Sequence, residues 1–349
     1  MSHAFGNQER RLGQIGDRRG RSGHAPPMTP CVEVCGTARL HLGFLDLNGS
    51  LGRRFGSIGL SLDAPAMRVL LRPARSTIVR GPDSDRAARH LNAMARRFEL
   101  PPGHDLRIEQ AIPAHAGLGS GTQLALAIGA AVRRLHGLPA DPEQDAVLLE
   151  RGGRSGIGVG LFSAGGCVVD GGHGEATAVP PVLVRLPVPE HWRILLVLDR
   201  SREGLSGAVE RAAFAKLPPM AEITAAQLCR LVLMQALPAL AEADLPRFGD
   251  AITRIQQAVG DYVAPAQGGH FTSPRVATAM RAITAAGAVG VGQSSWGPTG
   301  FAFVADDTAA RAIAEAVAGP LTEGLDIMIC RGLNRGATVT AGAGETAAR

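Results

Sequence analysis

Residues 113–123 read PAHAGLGSGTQ and run directly into LALAIGAAVRRL, a stretch that is apolar at helical spacing and ends on a basic pair. A glycine-rich turn opening onto a helix leaves the first backbone N–H groups of that helix without partners, and the helix dipole adds positive character at the same place. Small residues let this backbone approach an anion closely. Gly117, Leu118, Gly119, Ser120, Gly121 and Thr122 are therefore expected to bind a diphosphate or triphosphate. The turn is not a Walker A loop, which needs Gly-Lys-Ser/Thr, and Lys216 is the only lysine in the chain. Schiff-base chemistry would depend on that one residue.

The pattern around the turn suits a phosphate site. A strand at 106–111 feeds it, and the helix after it stops at Gly137, with a new helix starting near Asp141-Pro142. Upstream, Cys31 to Asp46 suggests a strand broken by a glycine turn, 56–63 and 66–71 read as further strands, and 83–98 reads as a helix. Four prolines between Val179 and Pro189 mark a domain boundary. Beyond it come a strand at 192–199, amphipathic helices between 219 and 263, a helix at 273–286, a strand-turn-strand unit at 289–304, a helix at 307–318 and a strand at 326–331. The expected fold class is α+β in two domains, with the glycine-rich phosphate loop between them. The expected divisions are an N-terminal tail at 1–30, domains at 31–186 and 187–340, and a flexible C-terminus at 341–349.

Composition narrows the class. With 349 residues, 45% hydrophobic and 19% charged, the chain can build a large core. No apolar run reaches the roughly 18 residues that span a bilayer, and the N-terminus lacks a signal-peptide core, so the expectation is a cytoplasmic protein with no membrane contact. The net charge of +5 is uneven, because the first 30 residues hold five Arg against Glu9 and Asp17. That arginine-rich tail has almost no apolar periodicity and reads as disordered. No aromatic interleaving or nucleic-acid motif accompanies it, so nucleic acid is not expected as a partner. The five cysteines are odd in number and scattered, which argues against a disulfide framework.

Three blocks, GTARLHLGFLDLNG at 36–49, the PAHAGLGSGTQ turn and GVGQSSWGPTGFAF at 290–303, resemble the GHMP small-molecule kinase superfamily in content and order. Kinases of that superfamily carry a Ser-Gly-x-Asp segment followed by a Gly-Gly pair, and the Asp acts as base toward the accepting hydroxyl. Here the segment is Ser155-Gly156-Ile157-Gly158, followed by Gly165-Gly166, so glycine replaces the base. Loss of a general base costs a factor of about 10² to 10⁴. The strings ARLHLGFLDL, RRFGSIGLSL, RGGRSGIG, GLSG at 204–207 and GQSSWGPT are similar to the β-ribofuranosylaminobenzene 5′-phosphate synthase family, a non-kinase branch.

That resemblance implies condensation of 5-phosphoribosyl 1-diphosphate with 4-aminobenzoate or 4-hydroxybenzoate, releasing CO₂ and diphosphate, in methanopterin biosynthesis. It also implies Mg²⁺ as cofactor, a homodimer, and small molecules as the other partners. Two alternatives stay open: an ATP-dependent kinase whose base is Asp46 or Asp199, and a non-catalytic ligand-binding regulator.

The motif context makes Arg39, His41, Asp46 and Arg154 the catalytic candidates. Arg53, Arg54, Arg151, Ser155, Gln293, Ser294, Ser295 and Trp296 are candidates for substrate binding. Kinases usually have a serine where this chain has Gly121, so Ser120, Thr122 and Glu150 are the candidate metal ligands. Phe55 and Trp296 are candidates for a dry pocket wall, while Ser206 and Glu210 rest on the family resemblance alone.

Overall fold

The computed structural model describes residues 29–344 except Ser206. Of the tail expected at 1–30, residues 1–28 lie outside the described residues, as do Ser206 and the last five residues, while Thr29 and Pro30 open the first strand. The N-terminal half runs β1 (Thr29–Asp46), β2 (Arg53–Pro73), β3 (Ile78–Arg80), α1 (Ser84–Arg97), β4 (His104–Gln110), α2 (Ser120–Leu135), α3 (Pro142–Leu148), α4 (Ile157–Ala164), β5 (Cys167–Asp170), β6 (His173–Gly174) and β7 (Val182–Leu186). There follow β8 (Arg193–Leu198), α5 (Gly207–Lys216), α6 (Glu222–Leu231), a π-helical turn at Val232–Ala236, α7 (Leu237–Ala241), α8 (Leu245–Gln267) and α9 (Pro274–Ala285). The chain closes with β9 (Val289–Gln293), β10 (Thr299–Val304), α10 (Asp307–Val317), β11 (Asp326–Cys330) and β12 (Thr338–Gly344).

Two sheets organise these elements. The larger has the order β12-β1-β2-β4-β3, with β5 and β6 also pairing β2 and β7 pairing β5; the smaller has the order β11-β8-β10-β9. The strands expected at 56–63 and 66–71 are one strand, β2, antiparallel to β1. Their register jumps from Thr37 opposite Ala66 to Arg39 opposite Ser61, so residues 62–65 bulge out of the ladder. The C-terminal chain docks on that bulge, through Asp63 N–H to Arg331 O at 3.0 Å and Arg331 N–H to Asp63 Oδ1 at 2.8 Å. It then returns to the first sheet as β12. Residues 341–344, expected in a flexible terminus, pair with 29–32 of β1. The proline-rich boundary segment likewise contains β7, whose residues pair with β5.

α2 explains its composition. Apolar residues surround it on nearly every side because it packs on β1 and β2, flanked by α1, α3 and α4. Its one deep charge, Arg133, shares its Nε–H between the two oxygens of buried Asp145, at 2.8 and 2.9 Å. The core of the first sheet continues through α8, which packs on both β1 and β9 and so ties the sheets together, while α9 and α10 cover the second sheet. The helical run Glu222–Ala241 is by length and composition apolar enough to cross a membrane, a feature the expectation of no such stretch overlooked. In the fold it packs on β1 and α8. The five cysteines are all free thiols, with Cys31 and Cys35 on β1.

Candidate active site

The expected phosphate loop is held from three sides. β1 contributes the Arg39 N–H, which donates to Leu118 O at 2.9 Å. The 294–297 turn contributes Ser294, whose hydroxyl donates to Gly117 O at 2.8 Å and accepts the His41 N–H at 3.1 Å. The chain before α5 contributes the Gly204 N–H, which donates to His115 O at 2.9 Å. Thus the three sequence blocks meet. Two glycines in the loop are required by geometry: Gly117 has φ of 79°, and a Cβ there would overlap Ser294 O; Gly119 has φ of 78° and caps α2. α2 begins without a side-chain cap, and helix geometry directs its first amides out of the helix end.

Arg39 and His41 share one face of β1, as their alternation predicts. Arg39 lies against Gly119, its Nε 3.0 Å from where a Cβ would stand. Burial lowers its pKa to about 10, opposed by Glu210. His41 is 4% exposed, and its Nε2 has no hydrogen-bond partner among the described residues. Burial, with Arg39 and Arg154 nearby, holds its pKa well below the usual histidine value, so the ring is neutral. It lines a cleft with Phe44, Gln256, Gln293, Ser295 and Trp296.

Next to this cleft stands an aromatic wall. Trp296, 3% exposed, meets Phe214 edge-on at 4.9 Å, and Phe214 meets Phe44 and Phe55 at 5.8 and 5.9 Å. Arg154 lies over Phe214 with 5.7 Å to the ring centre, and its Nη2 donates to Glu210 Oε2 at 2.6 Å. Glu210, flagged only by resemblance, is thereby the partner of a catalytic candidate. Arg54 lies over Phe55 at 5.6 Å, and its buried Nε has no partner among the described residues.

Other candidates have structural engagements. Arg53 donates to the carbonyls of Gly171 and Gly172, both at 2.7 Å, and so braces the turn after β5. The Gln293 side chain accepts the Thr272 N–H at 2.5 Å and donates to Ser295 O at 2.9 Å, which shapes the turn that presents Ser294 and Trp296. Ser155 donates to Asp170 Oδ2 at 3.0 Å, and Asp170 also accepts the Gly156 and Gly172 amides. Asp170 therefore anchors the start of α4; no sequence pattern singled it out. Asp46 Oδ1 accepts the amides of Asn48 and Gly49 at 2.7 and 2.9 Å and closes a turn. Burial would raise the pKa of Asp199, but hydrogen bonds from Ser201 and Ser273 reverse this and leave it low. Neither carboxylate is placed as a free base.

At the register of the kinase base, the Gly158 carbonyl accepts a bond from Gln123 Nε2 at 3.0 Å. A Cβ at Gly158 would stand 3.0 Å from Thr122 Cγ2, so this position faces the first turn of α2. The candidate metal ligands Ser120, Thr122 and Glu150 sit in unlike surroundings. Ser120 is buried, Glu150 is exposed and electrostatically coupled to Arg151, and no group of three or more His, Cys, Asp or Glu among the described residues could hold an ion. Magnesium takes carboxylates and phosphate oxygens. Arginines surround this helix end instead: those of Arg86 and Arg151 reach within 3.4 and 3.5 Å of where a Gly121 side chain would begin. Arg86, on α1, was not legible as a site residue.

Comparison with known proteins identifies the family and the fold. Residues 85–166 match the GHMP kinases N terminal domain, and 236–321 match the GHMP kinases C terminal family. The chain is 32% identical over 322 residues to a beta-ribofuranosylphenol 5′-phosphate synthase of Methanothermobacter thermautotrophicus, covering 86% of this chain and 96% of the relative. It is 36% identical over 232 residues to the like-named protein of Archaeoglobus fulgidus, covering 63% and 74%. Homoserine kinase from Cytophaga hutchinsonii superimposes with a TM-score of 0.61 at 19% identity, over 89% of this chain and 97% of that one. Phosphomevalonate kinase from Streptococcus pneumoniae gives 0.65 at 14% identity, over 88% and 100%. At such identities these two likenesses speak to the fold alone.

Proposed function

The chain belongs to the beta-ribofuranosylphenol 5′-phosphate synthase family of the GHMP superfamily, and from that premise we propose that it joins 5-phosphoribosyl 1-diphosphate to 4-hydroxybenzoate or 4-aminobenzoate. The phenol in the relatives' names favours the hydroxy acid. The product is a β-ribofuranosylbenzene 5′-phosphate with a carbon–carbon glycosidic bond, made on the way to methanopterin.

The observation that carries this reading is the uncapped N-terminus of α2, faced by Gly158 where a kinase has its base. The ring carbon bearing the carboxylate is para to an electron donor, so it can attack ribose C1. The C1–O bond to diphosphate breaks, and the diphosphate leaves with the electron pair. The bond to the carboxylate then breaks, its electrons restore the aromatic ring, and CO₂ leaves. No net proton transfer is required.

Within this scheme the α2 amides and Arg39 neutralise phosphate charge, which matters most as the diphosphate departs. Phe44, Phe55, Phe214 and Trp296 hold the aromatic ring and exclude water, conditions that favour loss of a carboxylate. Neutral His41, with its open Nε2, accepts a hydrogen bond from the para substituent. Arg154, fixed by Glu210 and Phe214, meets the substrate carboxylate or the 5′-phosphate. Magnesium belongs to the proposal as a companion of the diphosphate in solution, not as a resident ion.

The test supplies carboxyl-labelled 4-hydroxybenzoate and 5-phosphoribosyl 1-diphosphate and measures labelled CO₂ and diphosphate. Equal amounts of both are expected. ADP formed from ATP and a small alcohol, with no CO₂, would overturn the proposal in favour of a kinase.

A further inference from the structure

A second set of basic side chains gathers where the α2 N-terminus turns toward α1. Arg86, Arg89 and His90 are spaced i, i+3 and i+4, so they share one face of α1. Arg151 joins them from the loop after α3. The guanidinium groups of Arg86 and Arg151 reach the same point beside Gly121. His90 lies among these arginines, is 7% exposed, and its Nε2 has no hydrogen-bond partner among the described residues. The buried Nε of Arg151 also lacks one.

Nearby carboxylates only partly balance this charge. Asp83 lies 3.4 Å from Arg86 Nη1, and Glu150 acts on Arg151. Burial and then Arg86 lower the Arg151 pKa, as expected where like charges crowd together. Cations assembled over a helix N-terminus add to the dipole's own positive end, and buried N–H groups left unpaired are costly. An anion relieves both.

We propose that Arg86, Arg89, Arg151 and His90 form a subsite that binds the terminal phosphate of a diphosphate directly through side chains, while the amides at the start of α2 bind the other phosphate. The identity of its ligand as the leaving diphosphate rests on the synthase reading above. The subsite makes the protein selective for diphosphate over monophosphate, since only the longer anion reaches both the helix amides and the arginines. It also makes that binding independent of a metal ion.

Inorganic pyrophosphate and inorganic phosphate, each titrated calorimetrically into the full chain in EDTA, test this. The expected result is pyrophosphate binding at least about tenfold tighter than phosphate, because of the added charge-assisted bonds. Arg86→Ala and Arg151→Ala should each weaken pyrophosphate by about 10- to 100-fold and erase the preference. Exposed Arg89→Ala, which leaves packing intact, should weaken it less. Melting curves identify any variant that fails to fold, and Arg89→Ala then carries the test.

Pyrophosphate binding that is unchanged in folded variants, or that appears only when magnesium is added, overturns the subsite. The two proposals fail separately. Loss of pyrophosphate binding in Arg86→Ala, in a protein that releases no CO₂ from the labelled acid, keeps the subsite and removes the synthase reading. Wild-type turnover by a variant that binds pyrophosphate normally does the reverse.

Discussion

The two faces of the glycine loop differ in what surrounds them. Toward β1, Arg39 and neutral His41 stand beside a wall of four aromatic rings, and Arg154 there is paired with Glu210. Toward α1, Arg86, Arg89 and Arg151 crowd together, and the buried Arg151 Nε and His90 Nε2 have no hydrogen-bond partner among the described residues. The first face suits a planar apolar group that must be kept dry. The second suits a concentrated negative charge. A single helix end can thus separate the group that reacts from the group that leaves, without a general base between them.

The sharpest way to break this division is to disturb what both faces share. Gly117→Ala places a Cβ into Ser294 O at a φ that side chains rarely adopt. Strain at such a position costs about 1–3 kcal/mol even before the overlap is counted. CO₂ release and pyrophosphate binding should both fall by about 100-fold or more. Loss of one without the other would show that the faces do not depend on a common loop.

Trp296→Ala addresses only the aromatic face. Removal of a fully buried aromatic side chain costs about 3–5 kcal/mol. A matching drop in unfolding free energy by urea titration is expected, with kcat reduced in the surviving folded protein and pyrophosphate affinity in EDTA held within about twofold. A parallel loss of pyrophosphate affinity would merge the two faces.

His90→Gln addresses only the arginine face. Burial, then Arg151, Arg86 and Arg89, lower the folded-state pKa of His90 to about 4, below its ordinary value of 6.5. Between these values the unfolded chain binds the proton more readily, so stability falls as pH falls through that window. The full effect is on the order of 2–3 kcal/mol by pH 4. Urea unfolding at pH 7 and at pH 4.5 should show a smaller acid loss in His90→Gln than in the wild type. An equal loss would place His90 outside the cationic environment.

Local patterns carried the legible part of the site. The loop and α2 are contiguous in sequence, and Arg39 and His41 follow from strand alternation. The fold class was readable for the same reason, since long helices and strands such as α8–α10 and β8–β11 declare themselves by period. What stayed hidden depends on distant partners. Arg86, Arg89 and His90 look like the polar face of a surface helix until α1 packs on α2. Phe44 and Phe214 are 170 positions apart in a chain where aromatics are sparse. Asp46, Arg53, Ser155 and Gln293 have the chemistry of site residues, but backbone groups engage Asp46, Arg53 and Gln293, and the Asp170 carboxylate engages Ser155. β12 reads TVTAGAG, whose small residues resemble a tail until β1 offers it an edge.

Gly158→Asp tests the smallest and most specific difference, the one between this site and a kinase. An aspartate there begins 3.0 Å from Thr122 Cγ2, so Thr122 must give by a few tenths of an ångström, and its carboxylate enters the space before the first turn of α2. The helix dipole welcomes that charge in the free protein, but it competes with the diphosphate for the same amides. A like charge near a bound anion costs about 1 kcal/mol where solvent screens it. The KM for 5-phosphoribosyl 1-diphosphate should therefore rise by about tenfold, with a smaller change in kcat, and pyrophosphate binding in EDTA should weaken in proportion. No phosphorylation of small alcohols by ATP should appear, because the dry aromatic face and the arginine face remain as they are. An unchanged KM would mean that the diphosphate does not use the α2 amides beside Thr122, and the division between the two faces would have to be drawn elsewhere along the loop.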